Sequence, residues 1–340
     1  MKKIRWGIIG AGRIVHRFMK GLNMVPEAHV TALYARNVQR GRAVADQYGI
    51  ERFYDDIDAF LDSGAFDVAY VSVPHAAHMD FSIKCLQKKI PVVCEKPLAV
   101  NAGQVRRMID CARENDTFLM EAMWTRMFPV TRQVCQWLDE GRIGKVVGMQ
   151  GSFCFRGPED DTDRLYIPEA GGGSVLDVGI YLISYANMVF KREPKEVMAL
   201  GHIGRLGTDD NAGVVFLYDG GEVATLQMGF LSEGKHFITI YGREGLIEIF
   251  PDFWRPRAAR LTHGGGYIDF TAPVIEDTGA VYAQSVSFAG EGYQFQVAHV
   301  HELLSAGEKE SPLIPLEDSL SAARTADRVR QMLGVRYPFE

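Results

Sequence analysis

The 340-residue chain exceeds the roughly 250 to 300 residues that one hydrophobic core fills, so two domains are expected. Its composition, 47% hydrophobic and 24% charged without a biased tract, excludes a disordered or fibrous chain. A formal net charge of -6 supplies no basic field, so nucleic acid and anionic membrane are not expected as partners, and any anion must be caught locally.

No apolar run is read as reaching the ~18 residues of a membrane span, and the start runs straight into a strand pattern without a leader's apolar segment, so a cytoplasmic location is expected. The five cysteines, Cys85, Cys94, Cys111, Cys135 and Cys154, are odd in number and lack C-x-x-C spacing, which predicts buried reduced thiols and neither a disulfide framework nor a zinc site.

In chain order, short apolar runs at residues 4–10, 29–35, 68–73, 91–94 and 118–120 alternate with helical periodicity at 15–24, 38–48, 77–88 and 102–115. This alternation predicts an α/β Rossmann domain over residues 1–122, a parallel sheet with helices on both faces.

After the first strand comes Gly7-Ile8-Ile9-Gly10-Ala11-Gly12-Arg13-Ile14-Val15, which supplies two glycines of G-x-G-x-x-G and puts Val15 at the third. Gly10 suits the tight turn, and Gly12 lets the backbone N–H groups at Arg13 and Ile14 approach a pyrophosphate at the helix N-terminus. At the end of the second strand, Ala32-Leu33-Tyr34-Ala35-Arg36-Asn37 lacks the carboxylate that bonds the ribose of NAD. Arg36 stands where a guanidinium grips a 2′-phosphate, with Arg40 one turn later, so NADP is expected in preference to NAD. The competing reading is that both arginines merely decorate a helix N-terminus, an unfavourable place for cations.

The third run ends in Ser72-Val73-Pro74-His75-Ala76-Ala77-His78, at the carboxyl edge where open α/β sheets bind ligands. Ser72, Pro74, His75 and His78 are therefore placed along the nicotinamide pocket, with capping of the following helix as the alternative for the two histidines, and with no third ligand nearby no metal is assigned. The next run delivers Glu95-Lys96-Pro97 at the same edge; the lysine there is either a structural partner of Glu95 or a functional group, and Pro97 restricts its backbone.

From residue 123 to 340 the pattern becomes α+β: a helix over 129–140, strands over 146–155, 222–230 and 236–241, and Gly-rich turns at Asp219-Gly220-Gly221 and Arg243-Glu244-Gly245. A large, mainly antiparallel open sheet follows, whose uncovered face suits an oligomer interface. Residues 158–163 and 263–267 read as loops, and the run Glu159-Asp160-Asp161 as a solvated surface. An amphipathic helix over 316–333 is expected to pack back on the first domain.

In this half, Gly171-Gly172-Gly173-Ser174-Val175-Leu176-Asp177-Val178-Gly179-Ile180-Tyr181 leads into a helix with Asp177 and Tyr181 four apart, on one face. A neighbouring ammonium such as Lys96 lowers a tyrosine's pKa and makes the pair a proton shuttle; the alternative is a core aromatic.

Together, the glycine loop, Glu95-Lys96-Pro97 and the segment from Gly171 to Tyr181 resemble the glucose–fructose oxidoreductase, inositol dehydrogenase and rhizopine-catabolism (Gfo/Idh/MocA) family. Met120-Glu121-Ala122-Met123-Trp124-Thr125-Arg126 resembles the branch holding dimeric dihydrodiol dehydrogenase and NADP-dependent D-xylose dehydrogenase. The resemblance implies hydride transfer between a nicotinamide and a hydroxyl or carbonyl carbon of a sugar, polyol or vicinal diol, in a homodimer or homotetramer joined through the C-terminal sheet. It implies that Lys96, with Glu95 beside it, touches cofactor and substrate, that Asp177 orients the substrate and that Tyr181 is the acid/base. Trp124 and Arg126 match positions near the cofactor, and Trp124, Phe153 and Trp254 are expected to form an aromatic substrate wall. Val15 departs from the small residue common in the glycine loop, and His75 stands where many relatives carry Asn. Two alternative functions compete: a redox-neutral NAD-dependent glycosidase or epimerase with retained cofactor, and a non-catalytic dinucleotide-sensing regulator.

Overall fold

The computed structural model describes residues 3–271 and 289–340. They fall into two compact units, one formed by the described residues within Met1–Ala99, Gly103–Trp124 and Val274–Leu316, the other by those within Val100–Ala102, Thr125–Pro273 and Glu317–Glu340.

The first unit runs β1 (Ile4–Ile9), α1 (Arg13–Leu22), β2 (Ala28–Tyr34), α2 (Val38–Tyr48), β3 (Arg52–Tyr54), α3 (Ile57–Asp62), β4 (Val68–Val71), α4 (His78–Gln87), β5 (Val92–Glu95), α5 (Ala102–Glu114) and β6 (Leu119–Ala122). Its sheet has the order β3-β2-β1-β4-β5-β6, with the pairs parallel. All four residues of β4, β5 and β6 are buried, as required of strands covered by helices on both faces. Trp6, Phe18, Tyr70 and Phe60 fill the space between sheet and helices, with Phe18 and Tyr70 stacked at 3.8 Å.

The second unit continues with α6 (Pro129–Asp139), β7 (Val146–Cys154), a π-helical turn (Val175–Gly179), α7 (Ile180–Phe190), β8 (Glu196–Ile203), β9 (Asp209–Leu217), β10 (Val223–Gly229), β11 (Ile238–Gly242), β12 (Gly245–Ile249), β13 (Ala258–His263) and β14 (Gly266–Thr271). The chain then returns to the first unit with α8 (Tyr293–Ala306) and closes with α9 (Leu316–Leu333). The second sheet has the order β14-β13-β12-β11-β7-β10-β9-β8, antiparallel except for the β7–β10 pair. The alternation of β10, exposed at Val223, Thr225 and Gln227 and buried between them, puts one face of the sheet in the core and leaves the other open. The expected class, a Rossmann domain followed by an α+β unit on a large open sheet, is the observed one.

Several features differ from the reading of the sequence. The stretch 263–267 is a hairpin, β13 turning into β14 through Gly264-Gly265, both at positive φ. Residues of α8 group with the first unit, so the chain crosses between units more often than a single boundary after residue 122 allows. Helix α9 groups with the second unit, where Asp318 pairs with Arg126 at 3.0 Å, Ser321 accepts from Asn187 at 3.2 Å and Arg324 meets Glu193 at 3.1 Å. Finally, Pro168–Phe190 is long and apolar enough to cross a membrane by length and composition, contrary to the expected absence of such a run; its most apolar window is wholly buried, as in a core helix.

Candidate active site

In the first unit the glycine turn is built against the end of β4. Gly10 has φ +120° and donates its amide to the Tyr34 carbonyl at 2.9 Å, and a Cβ there would lie 2.7 Å from the Ser72 carbonyl oxygen, so only glycine fits. Ser72 is buried and its hydroxyl donates to the Ile9 carbonyl at 3.2 Å. Gly12 is different: its φ of −82° suits any residue, and an added Cβ would meet only the Ser72 carbonyl at 3.9 Å. Glycine at position 12 therefore keeps clear the space ahead of α1, whose first turn has no side-chain cap and no acidic residue. That arrangement fits a pyrophosphate, with the backbone at Gly12, Arg13 and Ile14 as its cradle. Val15 is fully buried, so the departure at the third glycine position is absorbed by helix packing.

Arg36 and Arg40 are both exposed at the start of α2, and Asn37 caps that helix by accepting the Arg40 amide at 2.9 Å. No acid stands in the first turn of α2. Arg36 and Arg40 thus follow the carboxyl end of β2 without a carboxylate in the first turn of α2, a donor set that fits a 2′-phosphate.

His78 is wholly buried, and its two ring nitrogens meet the Pro97 carbonyl at 2.8 Å and the Val73 carbonyl at 2.9 Å. It links the loop after β4, including Pro74 and buried His75, to the loop after β5, and its ring lies edge-on to His75 at 5.6 Å. The Lys96–Pro97 peptide is cis, and Lys96 is partly exposed between buried neighbours. Glu95 accepts the Tyr70 hydroxyl at 2.5 Å and the Lys96 amide at 3.3 Å. Burial first, then the charge of Glu95, pushes Tyr70 well above the ordinary tyrosine range, so this phenol stays neutral and donates. Glu121, also buried, accepts the Leu98 amide at 3.1 Å and fixes the same loop. Trp124 belongs to this unit, where it is 3% exposed and stacks on Tyr293 at 4.2 Å.

In the second unit the segment 171–181 is anchored before it becomes helical. Gly173 sits at φ +115°, and a Cβ there would lie 2.4 Å from Asp209 Oδ1. Asp209, wholly buried at the start of β9, accepts the Ser174 hydroxyl at 2.6 Å and the Val175 amide at 2.7 Å. Burial raises its carboxyl above the usual range, while those two donors and Arg330 oppose the shift. Tyr337 adds a second anchor, donating its hydroxyl to the Gly172 carbonyl at 2.5 Å.

The turn that follows is π-helical, the irregularity often found at functional sites, and it carries Asp177 into α7 and Tyr181. One oxygen of buried Asp177 accepts two bonds from the Arg164 guanidinium, each 3.1 Å. Tyr181 is 6% exposed, and its ring lies 5.6 Å from Phe153. Phe153 in turn stacks on Trp254 at 4.2 Å with the rings 11° from parallel, so two of the three expected wall residues pack together beside the tyrosine. Arg126 also belongs to this unit, where its guanidinium bonds the Ser184 carbonyl at 3.2 Å and Asp318 at 3.0 Å.

Sequence reasoning missed Tyr70, Arg164, Asp209, Tyr337 and His236, the last edge-on to both wall rings. Each acts through a partner 13 or more residues away, so no local spacing marked it. Among the described residues no group of three His, Cys, Asp or Glu could hold a metal ion.

The profile of an oxidoreductase family with an NAD-binding Rossmann fold, GFO/IDH/MocA, matches residues 4–123, and that of the GFO/IDH/MocA C-terminal domain matches 131–248. The chain is 33% identical to trans-1,2-dihydrobenzene-1,2-diol dehydrogenase of Xenopus tropicalis over 98% of its own length and 99% of the relative's. Among solved structures it is similar to a 3-ketoreductase from Actinomadura kijaniata in complex with NADP and TDP-benzene, with TM-score 0.81 and 25% identity over 98% of both chains. A levoglucosan dehydrogenase in complex with NADH and levoglucosan superimposes with TM-score 0.85 at 18% identity, covering 97% of both chains.

Proposed function

The chain belongs to the Gfo/Idh/MocA family of oxidoreductases, and we propose that it is an NADP-dependent dehydrogenase of vicinal diols, sugars or polyols in which Lys96 and Tyr181 move the proton. The observation that carries this reading is Tyr181 itself, a buried phenol beside the Phe153–Trp254 stack and one turn beyond an Asp177 held by Arg164.

The glycine turn and the N-terminus of α1 hold the pyrophosphate, and Arg36 with Arg40 holds the 2′-phosphate. When bound, the nicotinamide supplies the hydride acceptor. Tyr181 takes the proton from the substrate hydroxyl, and the Lys96 ammonium favours the phenolate form that can do so. Asp177 accepts a hydrogen bond from a substrate hydroxyl while Arg164 fixes its direction. Phe153 and Trp254 present an apolar surface to the C–H face of a ring-shaped diol or sugar, as stacked aromatic rings do. Support for the diol class comes from the dihydrobenzenediol dehydrogenase relative, and support for NADP from the 3-ketoreductase together with Arg36.

The same reading includes a homodimer or homotetramer formed through the open face of the second sheet. On that face Met198 on β8 pairs across to Val215 on β9, and Leu200 is 84% exposed.

The test is a panel of trans-dihydrodiols, aldoses, polyols, inositols and glycosides assayed with each nicotinamide. Reduction of NADP by at least one member, faster than reduction of NAD, is expected. Turnover of a glycoside without net change in the nicotinamide, or no turnover at all, would reject the reading.

A further inference from the structure

His236 stands just before β11 with φ +50°, a left-handed backbone that histidine tolerates better than most residues but that still carries strain. The fold keeps it there because its side chain and backbone join three segments. Nδ1 meets Asp252 Oδ1 at 3.1 Å, Nε2 meets the Cys154 carbonyl at the end of β7 at 2.5 Å, and its own carbonyl accepts the Phe253 amide at 3.1 Å. A carboxylate and a carbonyl only accept hydrogen bonds, so both ring nitrogens must donate, and a ring that donates twice is the imidazolium. A neutral ring would leave one lone pair facing an oxygen.

The ring is also part of the aromatic cluster beside Tyr181. It lies edge-on to Trp254, 4.8 Å away at 74°, and to Phe153, 5.3 Å away at 64°. Its side chain is 13% exposed.

We propose that His236 is a positioning residue: as an imidazolium it ties the end of β7 to the segment carrying Asp252 and Trp254, and so holds the Phe153–Trp254 wall in register for a ring-shaped substrate. This rests on the reading of Asp177 and Tyr181 as the reacting site.

The charges around the ring agree with the assignment. Burial works against the cation, but the bonds to Asp252 and Cys154 and the charges of Asp252 and Glu233 outweigh it, so the His236 pKa lies above its ordinary value. Asp252 is lowered in turn, first by its bond to His236 and then, against burial, by Arg255, whose guanidinium shares it at 3.2 Å. Arg257 faces the same carboxylate and is itself lowered by burial and by Arg255. Cys154 contributes a thiol that burial keeps protonated. For a histidine with a raised folded pKa, the doubly donating state is complete below about pH 6.5 and is lost as pH rises through the raised value. The wall should therefore loosen towards alkaline pH.

Two readouts test this. Trp254 fluorescence, isolated by subtracting a Trp254→Phe variant, is followed from about pH 5 to 9 without substrate. A transition above about pH 6.5 is expected, shifted to lower pH in Asp252→Asn and absent in His236→Gln. Steady-state kinetics on a ring-shaped diol should then show His236→Gln raising KM about tenfold with kcat changed less than about threefold, as expected when uniform binding is lost. A flat fluorescence profile in the native protein, or a KM in His236→Gln equal to the native value, would overturn the assignment. The fluorescence arm needs no turnover, so a protein that reduces no nicotinamide but shows the transition contradicts the proposed activity and not the tie. If His236→Gln does not fold, Asp252→Asn carries the test through the direction of its shift.

Discussion

In the proposed function, Arg36 is the residue on which cofactor choice turns. It ends the second strand's approach to the site, is exposed, and stands in a stretch without the acid that would bond an unmodified ribose. Replacing it with alanine should raise KM for NADP at least about tenfold and leave KM for NAD within about twofold, as loss of a charge-assisted fork to one phosphate predicts. Steady-state kinetics with both cofactors checks this, and equal effects would place the phosphate elsewhere. Residues of this kind were legible in the sequence because their signal is local: Gly10 and Gly12 after a strand, Arg36 where an acid is missing, Lys96 before a proline. Asp209, Tyr70 and His236 were not, because each derives its role from a distant partner, Asp209 from Ser174 and Val175, Tyr70 from Glu95 and His236 from Cys154 and Asp252.

At the scale of elements, the turn from Gly171 into α7 decides where Asp177 and Tyr181 are carried. Four-residue spacing suggested one regular helical face, but the turn over Val175–Gly179 is π-helical, and its start is secured from outside the helix by Asp209. Asp209→Ala leaves the Ser174 hydroxyl and the Val175 amide without their buried acceptor, which costs about 1–3 kcal/mol. Denaturant unfolding should show that loss, and kcat should fall while NADP affinity, which this unit's turn does not set, stays near native. Unchanged kcat would separate the anchor from the site. Five strands of the first sheet were readable because burial makes them apolar runs, most completely in β4 and β5, whereas β3, with no buried residue, was not. Strands β8, β9, β12, β13 and β14 were not named; exposed positions dilute the pattern in β8 and β14, and β14 has no buried residue at all.

Across the whole molecule, the open face of the second sheet is the surface that a lone chain leaves least accounted for. Met198 is 66% and Leu200 84% exposed on β8, an edge strand whose unpaired side invites association. Leu200→Asp should shift the protein from dimer or tetramer to monomer in light scattering, and a native protein already monomeric at micromolar concentration would contradict the interface. The division of the chain was only partly legible: the periodicity changes near residue 122 and one crossing between the units lies between Trp124 and Thr125, but the brief excursion of Val100–Ala102 left no mark in the pattern, and the return of α8 to the first unit depends on contacts such as Trp6 Nε1 to His301 Nε2 at 3.1 Å, which no local pattern announces. In the proposed function one phenol and one ammonium move the substrate's proton, and the most direct measurement is kcat for NADP reduction by Tyr181→Phe and Lys96→Ala, with NADP affinity determined alongside. Each variant should lose at least ~100-fold in kcat while binding NADP as the native protein does. Turnover within about threefold of native in either would contradict the assignment of that residue to the proton transfer.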